Sequence, residues 1–261
     1  MNSMIDSAID GTTGGTMKVA VAKYTIDAPR DFDAFALKQA HWLDDARQQG
    51  ANLAILPEYL SLELGATFDD ATRGDLHASL AAIQAYHGRW LDLFAQLARE
   101  RRMHVVAGTF LLDLGRGRYR NRSYAFAPDG SHVWQDKLRL TGFEKRAGVI
   151  EPGDALKVFE TGVVRGAISV CYDSEFPLPV RAQCEAGARL LVVPSCTDTE
   201  AGATRVRVGC LARALENRCF VAQAVTAGQA PWSPALDVNT GEAALIAPMD
   251  VGLPHDGMIV Q

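Results

Sequence analysis

Three polar residues each close an apolar stretch of strand length. Glu58 follows the run 53–56 and Pro57, in AILPEY. Lys137 closes VWQDK, and Cys171 follows GAISV and precedes Tyr172 and Asp173. In α/β folds, strand ends present polar groups on a rigid scaffold at the mouth of a crevice, where catalytic groups tend to sit. Burial there raises the pKa of a carboxylate and fits it for base work near neutrality. Each residue also has a plainer reading. A cysteine at a strand end packs as a small hydrophobe, a glutamate after proline is a solvated turn residue, and a lysine after aspartate is a surface charge. The three carry chemistry only if they meet in space, which periodicity does not reveal.

The other candidates are weaker. Cys184, Cys210 and Cys219 fall on helical or strand patterns and read as structural. Cys196, in PSCTDT, reads as a loop-packed residue, with the edge of a pocket as the alternative. Five cysteines in a chain of this length do not form a disulfide framework, and no CxxC pair or histidine at ligand spacing marks a zinc site. Of the six histidines only His255 follows Cys171, in a loop-like stretch, and a papain-like cysteine would start a helix rather than end a strand. A Cys–His protease is therefore disfavoured. Arg205 and Arg207 read as a solvated helix start, with an anion site as the alternative.

The elements that must position these residues can be read along the chain. Strands are expected over 17–26, 53–56, 105–112, 120–127, 132–138, 163–170, 190–193, 219–225, 243–247 and 258–261. Helices are expected over 32–49, 80–102, 180–186 and 206–217, with Gly50 and Gly187 as stops. Pro128, Asp129 and Gly130 make a hairpin turn between two of the strands, and 63–75 is polar enough for an excursion loop. Strands alternating with helices early and late, around a central hairpin, describe a mixed α/β or α+β sandwich.

Bulk composition narrows the function. The 261 residues are 48% apolar and 22% charged, enough for one large domain with a sizeable core. Residues 1–16 are polar and glycine-rich, lack the pattern of a secretory signal, and are expected to be a flexible leader before a single domain at 17–261. A net charge of −5 with scattered lysines and arginines argues against a nucleic-acid partner. No apolar run approaches the roughly 18 residues that span a membrane, so no membrane role is expected and a cytoplasmic location is the default.

Four blocks together carry a resemblance. LAILPEY holds Glu58. QDKLRLTGFE holds Lys137 and, seven residues on, Glu144. GAISVCYDSEFPLPVRAQCEAGARLLVVPS holds Cys171, and RALENRCFVAQA is a late helix–strand unit. In this order, with 79 residues from Glu58 to Lys137 and 34 from Lys137 to Cys171, they resemble the nitrilase superfamily of carbon–nitrogen hydrolases from residue 17 to 261. The resemblance implies a four-layer α-β-β-α sandwich that forms a homodimer or higher homo-oligomer through helices. It implies Cys171 as nucleophile, Glu58 as general base, Lys137 as the cation facing the oxyanion, and the N–H of Tyr172 as a second donor. Glu144 would position Lys137 and the substrate or water, or act as an ion pair holding Lys137. No metal or organic cofactor is required, because the chain supplies every group.

The resemblance favours a small amide as substrate, cleaved through a thioester with release of ammonia or an amine. Cys171 is followed by Tyr-Asp, as in amidase-type members, rather than the Trp-Glu common in nitrilases. A carbamoyl-amine hydrolase or a nitrilase would keep the same residues. A non-catalytic binding protein on this scaffold is disfavoured because Glu58, Lys137 and Cys171 are all present. The tract from Cys196 to Ala224 resembles a bacterial subset often fused to an acetyltransferase domain. Family members commonly continue past a strand like MIVQ, so a truncated C-terminus is also an expectation.

Overall fold

The computed structural model describes the backbone of residues 3–10 and the whole of residues 15–260. In the first half, β1 (Ser3–Asp10) and β2 (Thr16–Thr25) precede α1 (Phe32–Gln48) and β3 (Leu53–Leu56). Three helices follow, α2 (Asp70–Arg73), α3 (Leu76–Ile83) and α4 (His87–Arg101), and then β4 (His104–Asp113), β5 (Tyr119–Phe126) and β6 (His132–Asp136). The second half runs α5 (Gly142–Ala147), β7 (Val158–Glu160), β8 (Arg165–Ile168), α6 (Pro177–Glu185), β9 (Leu190–Ser195) and α7 (Glu200–Asn217). It closes with β10 (Phe220–Gln229), β11 (Val238–Asn239), β12 (Ala244–Ile246) and β13 (Met258–Val260).

The strands are ordered β6-β5-β4-β3-β2-β10-β9-β8-β7. β2, β3 and β4 are parallel, with β5 and β6 added as antiparallel hairpins. β8, β9 and β10 are parallel, with β7 antiparallel at the edge. The two halves join where Lys23–Thr25 of β2 pair with Val225–Ala227 of β10; the start of β10 pairs instead with β12. The halves therefore splay into two stacked sheets. α1 and α4 cover one and α6 and α7 the other, giving the expected four-layer α-β-β-α sandwich. The inner strands are apolar along both faces, as LAIL and the fully buried run 190–195 show, because parallel strands are covered on both sides.

Several expectations are corrected. The helix at 80–102 is broken by a 3-10 turn at Gln84–Tyr86. Gln84 Nε2 donates to the carbonyls of Leu80 and Leu111, and its Oε1 accepts from the N–H of Asp113, which ties this turn to β4. The stretch 63–75 is a 3-10 turn, Leu60–Thr67, and α2 rather than an excursion loop. Its polar Glu63 is wholly buried, accepting from Tyr24, Asp27 and Lys38, and no local pattern announces those partners. The strand at 163–170 is shorter, and an unforeseen β7 precedes it. Pro194 does not stop β9: β8 pairing ends at Val192, so the missing N–H costs no ladder bond on that side. α7 begins six residues early because Thr199 caps it through the N–H of Gly202. Within the stretch expected to be a leader, Ser3–Asp10 pair antiparallel with β2. Gln261, in the last expected strand, lies outside the described residues. Among the described residues no helix is long and apolar enough to cross a membrane.

Candidate active site

Glu58 stands at the C-terminal end of β3, and a bulge in β4 holds it there. Gly108 has φ +63°, and a Cβ on it would lie 2.1 Å from the carbonyl oxygen of Pro57. Only glycine lets the two backbones approach so closely. The register shift between Val106 and Thr109 then turns Thr109 toward the loop, where its Oγ1 accepts from the N–H of Tyr59 at 2.8 Å.

Lys137 follows β6, its N–H donating to Asn121 O and its carbonyl accepting from the N–H of Gly153. The next two amides, Leu138 and Arg139, donate to the carboxylate of Asp173, at 3.0 and 2.7 Å. Asp173 lies two residues after Cys171, so one buried carboxylate pins the lysine strand end to the cysteine turn. Burial pushes Asp173 up to about 7, against the pull of those amides and of Lys137.

Cys171 opens a 3-10 turn, Cys171–Glu175, separated from the end of β8 by two residues, with φ +48°. A non-glycine residue held in this region costs about 1–3 kcal/mol and persists only where its surroundings fix it. Here Ser174 Oγ donates to the carbonyl of Cys171 at 2.7 Å, and Arg213 of α7 donates to the carbonyl of Ser174 at 3.0 Å. Gly209 of α7 lets the helix lie against the turn, since a Cβ there would come within 2.9 Å of Ser174 O.

These elements bring Glu58, Lys137, Glu144 and Cys171 together. Lys137 Nζ lies 2.8 Å from Glu58 Oε1 and 2.9 Å from Glu144 Oε2. Asn121 Nδ2 donates to Glu58 Oε1 at 2.8 Å and reaches Glu144 Oε1 at 3.3 Å. Tyr59 OH donates to Glu144 Oε1 at 2.8 Å, and Thr141 fixes Glu144 Oε2 through its N–H and hydroxyl in a capping box on α5. The backbone of Cys196, just past β9, serves both remaining groups: its N–H donates to Glu58 Oε2 at 3.1 Å, and its carbonyl accepts from the Cys171 thiol at 3.6 Å.

Glu58, Lys137 and Glu144 are at most 2% exposed. Burial raises the Glu58 carboxyl above its ordinary range, and Glu144 adds to this while Lys137 opposes it. Burial opposes charge on Lys137, but Glu58 and Glu144 together hold its ammonium well above the usual lysine value. Burial would also raise Glu144, yet Lys137 and the Thr141 N–H bring it below the ordinary glutamate value. The Cys171 thiol is raised well above its usual value, by burial and then by the Glu58 charge. The Cys171 thiol and the Lys137 ammonium, each with its proton held more tightly than usual, thus meet the Glu58 carboxyl at one cavity.

That cavity has a volume of about 270 Å³ and is lined by Glu58, Lys137 and Cys171, with Tyr172, Phe143 and Val238 among its walls. A wider cleft of about 840 Å³ runs along α1 and contains none of the four residues. Tyr172 faces the cavity and packs edge-on against Phe176. Cys196 lines the cavity, the less favoured of its two readings. Arg205 also lines it, paired with Glu175 at 3.4 Å, whereas Arg207 does not and His255 is exposed elsewhere. Sequence reasoning missed Asn121, Tyr59, Thr109 and Asp173. Asn121 in RNRSYAF, a buried amide on a strand, was the one visible signal. Among the described residues, no group of three or more His, Cys, Asp or Glu could hold a metal ion.

The model of the carbon–nitrogen hydrolase family matches residues 18–250. The chain is 28% identical over 243 residues to the probable hydrolase YhcX of Bacillus subtilis, across 93% of this chain but 47% of that protein. It therefore spans about half the length of that relative. It is 25% identical over 219 residues to the omega-amidase NIT2-B of Xenopus laevis, across 81% of this chain and 74% of that one. Among solved structures, Nit3 of Saccharomyces cerevisiae, a member of the nitrilase superfamily, superposes with a TM-score of 0.72 at 19% identity, covering 93% of this chain and 84% of that one. An amidase from Nesterenkonia sp. superposes with a TM-score of 0.69 at 23% identity, covering 92% and 85%. The fold is thus shared across low identity, and with the family model running over nearly its whole length this chain belongs to the carbon–nitrogen hydrolase family.

Proposed function

We propose that the protein hydrolyses the C–N bond of a small amide through a thioester on Cys171. The observation that carries this reading is the placement of Glu58, with one carboxylate oxygen on the Lys137 ammonium and the other on the N–H of Cys196, whose carbonyl receives the Cys171 thiol. Glu58 takes the thiol proton as Sγ attacks the carbonyl carbon, which suits a nucleophile that is neutral at rest. Lys137 Nζ and the N–H of Tyr172 stabilise the oxyanion. Glu58 then passes its proton to the departing nitrogen, the C–N bond breaks, and ammonia or an amine leaves. In the second half-reaction Glu58 takes a proton from water as its oxygen bonds to the thioester carbon, the C–S bond breaks, and Glu58 returns the proton to the departing Sγ of Cys171. Glu144 acts through Lys137, holding the ammonium in place.

The named activities of relatives, amidase and omega-amidase, support an amide over a nitrile, as does the Tyr-Asp that follows Cys171. N-carbamoyl amines and nitriles are the second reading, differing only in the cavity walls. We assign the protein to the cytoplasm, where its five free cysteines suit a reducing compartment. We also infer a homodimer through α6 and α7, whose Leu178, Val208 and Leu215 face outward; light scattering at working concentration tests it.

The deciding experiment measures ammonia release from amides, ω-amides, carbamoyl amines and nitriles, with Cys171→Ala alongside. Release that vanishes in the variant is the expected result. Acrylamide adds to the active-site cysteine of a Glu-to-Gln mutant of the Nesterenkonia amidase, and an adduct at Cys171 gives a second readout by mass spectrometry. Release that persists in Cys171→Ala would overturn the assignment.

A further inference from the structure

The two donors assigned to the oxyanion come from opposite halves of the fold. Lys137 follows β6 in one sheet, and Tyr172 lies in the turn after β8 in the other. Their separation matters, because displacing a reacting group by about an ångström costs on the order of a hundredfold in rate. On the base side, the Cys196 N–H bridges the halves by reaching Glu58. On the oxyanion side the bridge is Asp173. Its backbone closes the cysteine turn, with its N–H on the carbonyl of Val170 at 3.0 Å and its own carbonyl accepting from the Phe176 N–H at 3.1 Å. Its buried side chain reaches across to the segment after Lys137. Oδ1 accepts from the N–H groups of Leu138 and Arg139 at 3.1 and 2.7 Å, and Oδ2 accepts from Leu138 at 3.0 Å. Lys137 is in turn fixed by the carbonyl of Asn121 and the N–H of Gly153.

We propose that Asp173 is a positioning residue that holds Lys137 and the Tyr172 N–H at oxyanion spacing only while its carboxyl is ionised, so that acid disables the site through Asp173 as well as through Glu58. The inference rests on the proposed roles of Lys137 and Tyr172. The Leu138 N–H lies across both carboxylate oxygens. A proton on either oxygen therefore sets an O–H donor against an N–H donor, and it removes the charge that strengthens all of these bonds. The strand end and the turn then lose their shared anchor.

Both protonation states are within reach near neutrality. Burial pushes the Asp173 carboxyl up to about 7, against the Leu138 amide, Lys137 and the Arg139 amide, while Glu58 adds to the rise. The other charged groups around the turn are engaged elsewhere. Glu175 pairs with Arg205 at 3.4 Å, and Glu144 pairs with Lys137. Arg213 bonds to Glu216 and to the carbonyl of Ser174, and the Arg139 guanidinium lies over the Phe176 ring, 5.3 Å from its centre.

The test follows the turnover of para-nitrophenyl acetate, with the Cys171→Ala rate subtracted. This activated ester acylates a cysteine through the same kind of tetrahedral oxyanion and needs no amide-specific pocket. kcat/KM is measured against pH over the range in which near-ultraviolet circular dichroism stays constant. On a logarithmic plot the native acid limb should reach a limiting slope of about two, because two carboxyls must be ionised. In Asp173→Asn an amide N–H meets Leu138 as the protonated acid does. Its plateau should be lower by roughly a hundredfold, and its limiting slope about one. A native slope of about one overturns the proposal whether or not the variant folds. So does a folded asparagine variant that keeps the native plateau, or one that keeps the native slope. Nitrophenol release unchanged in Cys171→Ala or in Lys137→Met would overturn the underlying reading of the site, and the proposal with it.

Discussion

The ammonium of Lys137 lies 2.8 Å from a carboxylate oxygen of Glu58, with both side chains almost wholly out of water. Such a pair is a poor source of stability, because two charges must first be desolvated. Its retention points to what the charges do. A buried carboxylate without the lysine would be neutral and useless as a base. A buried lysine without carboxylates would lose the proton that the proposed oxyanion role requires. Glu144 completes the balance from the other side of Lys137, at 2.9 Å.

Removing the cation therefore has two separable effects. Lys137→Met leaves Glu58 and Glu144 facing one another with no charge between them. Breaking a buried pair costs about 3–5 kcal/mol, so urea unfolding should show a loss of that order. Loss of an oxyanion donor costs on the order of 10²–10³ in rate. Glu144→Gln keeps Glu58 paired with Lys137. It should be milder on both measures, with kcat reduced more than KM is changed, as the proposed action of Glu144 through the lysine requires. Equal damage from both substitutions would show that Glu144 does more than hold it.

The acid limb of kcat/KM should report Glu58. The proposed mechanism needs its carboxylate, whose pKa burial raises, so activity should fall at a pH above the ordinary glutamate range. Stability runs the other way for this group. The folded chain holds the Glu58 proton more tightly than the unfolded chain, so its contribution is full below the ordinary range and is lost as pH rises through the raised value. Glu144, whose pKa is lowered, stabilises above the ordinary range, and that contribution is lost as pH falls through the lowered value. Parallel profiles of activity and of unfolding midpoint separate these opposite slopes.

Gly108 should be intolerant of any side chain. In Gly108→Ala the new Cβ meets the Pro57 carbonyl, and the residue must also keep φ +63°. A left-handed non-glycine residue costs on the order of 1–3 kcal/mol before any clash is counted. The loop that moves in response is the one carrying Glu58. The rate of acrylamide addition at Cys171 should fall together with the unfolding midpoint, while Gly117→Ala, at an open turn with φ +67°, should lower stability alone.

How much of this was visible in the sequence depends on the range of the interaction. LAIL ends at Leu56 as its apolar run ends, and Glu58, Lys137 and Cys171 could each be placed at a strand terminus from local pattern alone. Their convergence could not. Glu58 and Cys196 are 138 positions apart and meet through a backbone N–H, which leaves no mark on residue type. Asp173 looks like any aspartate after a tyrosine, and its partners are again two main-chain amides. Gln84 breaks a helix whose periodicity runs straight through it, because its amide group is held by β4. Side chains that bond to distant backbone are where local reading stops.

Asn121 offers the sharpest test of the positioning network. One Nδ2 group reaches both Glu58 and Glu144, from a residue 1% exposed on β5. Asn121→Leu keeps the volume and removes the donor. A hydrogen bond to a charged group contributes about 1.5–3 kcal/mol, so kcat should fall roughly ten- to a hundredfold if that contribution is felt at the transition state. The ionised form of Glu58 also loses a stabilising donor, so the acid limb of kcat/KM should move to higher pH. Asn121→Asp places a third carboxylate against Glu58 and Glu144 and should move the limb further while lowering the unfolding midpoint. A leucine variant with reduced kcat but an unmoved acid limb would mean that Asn121 shapes the strand rather than the charge of Glu58.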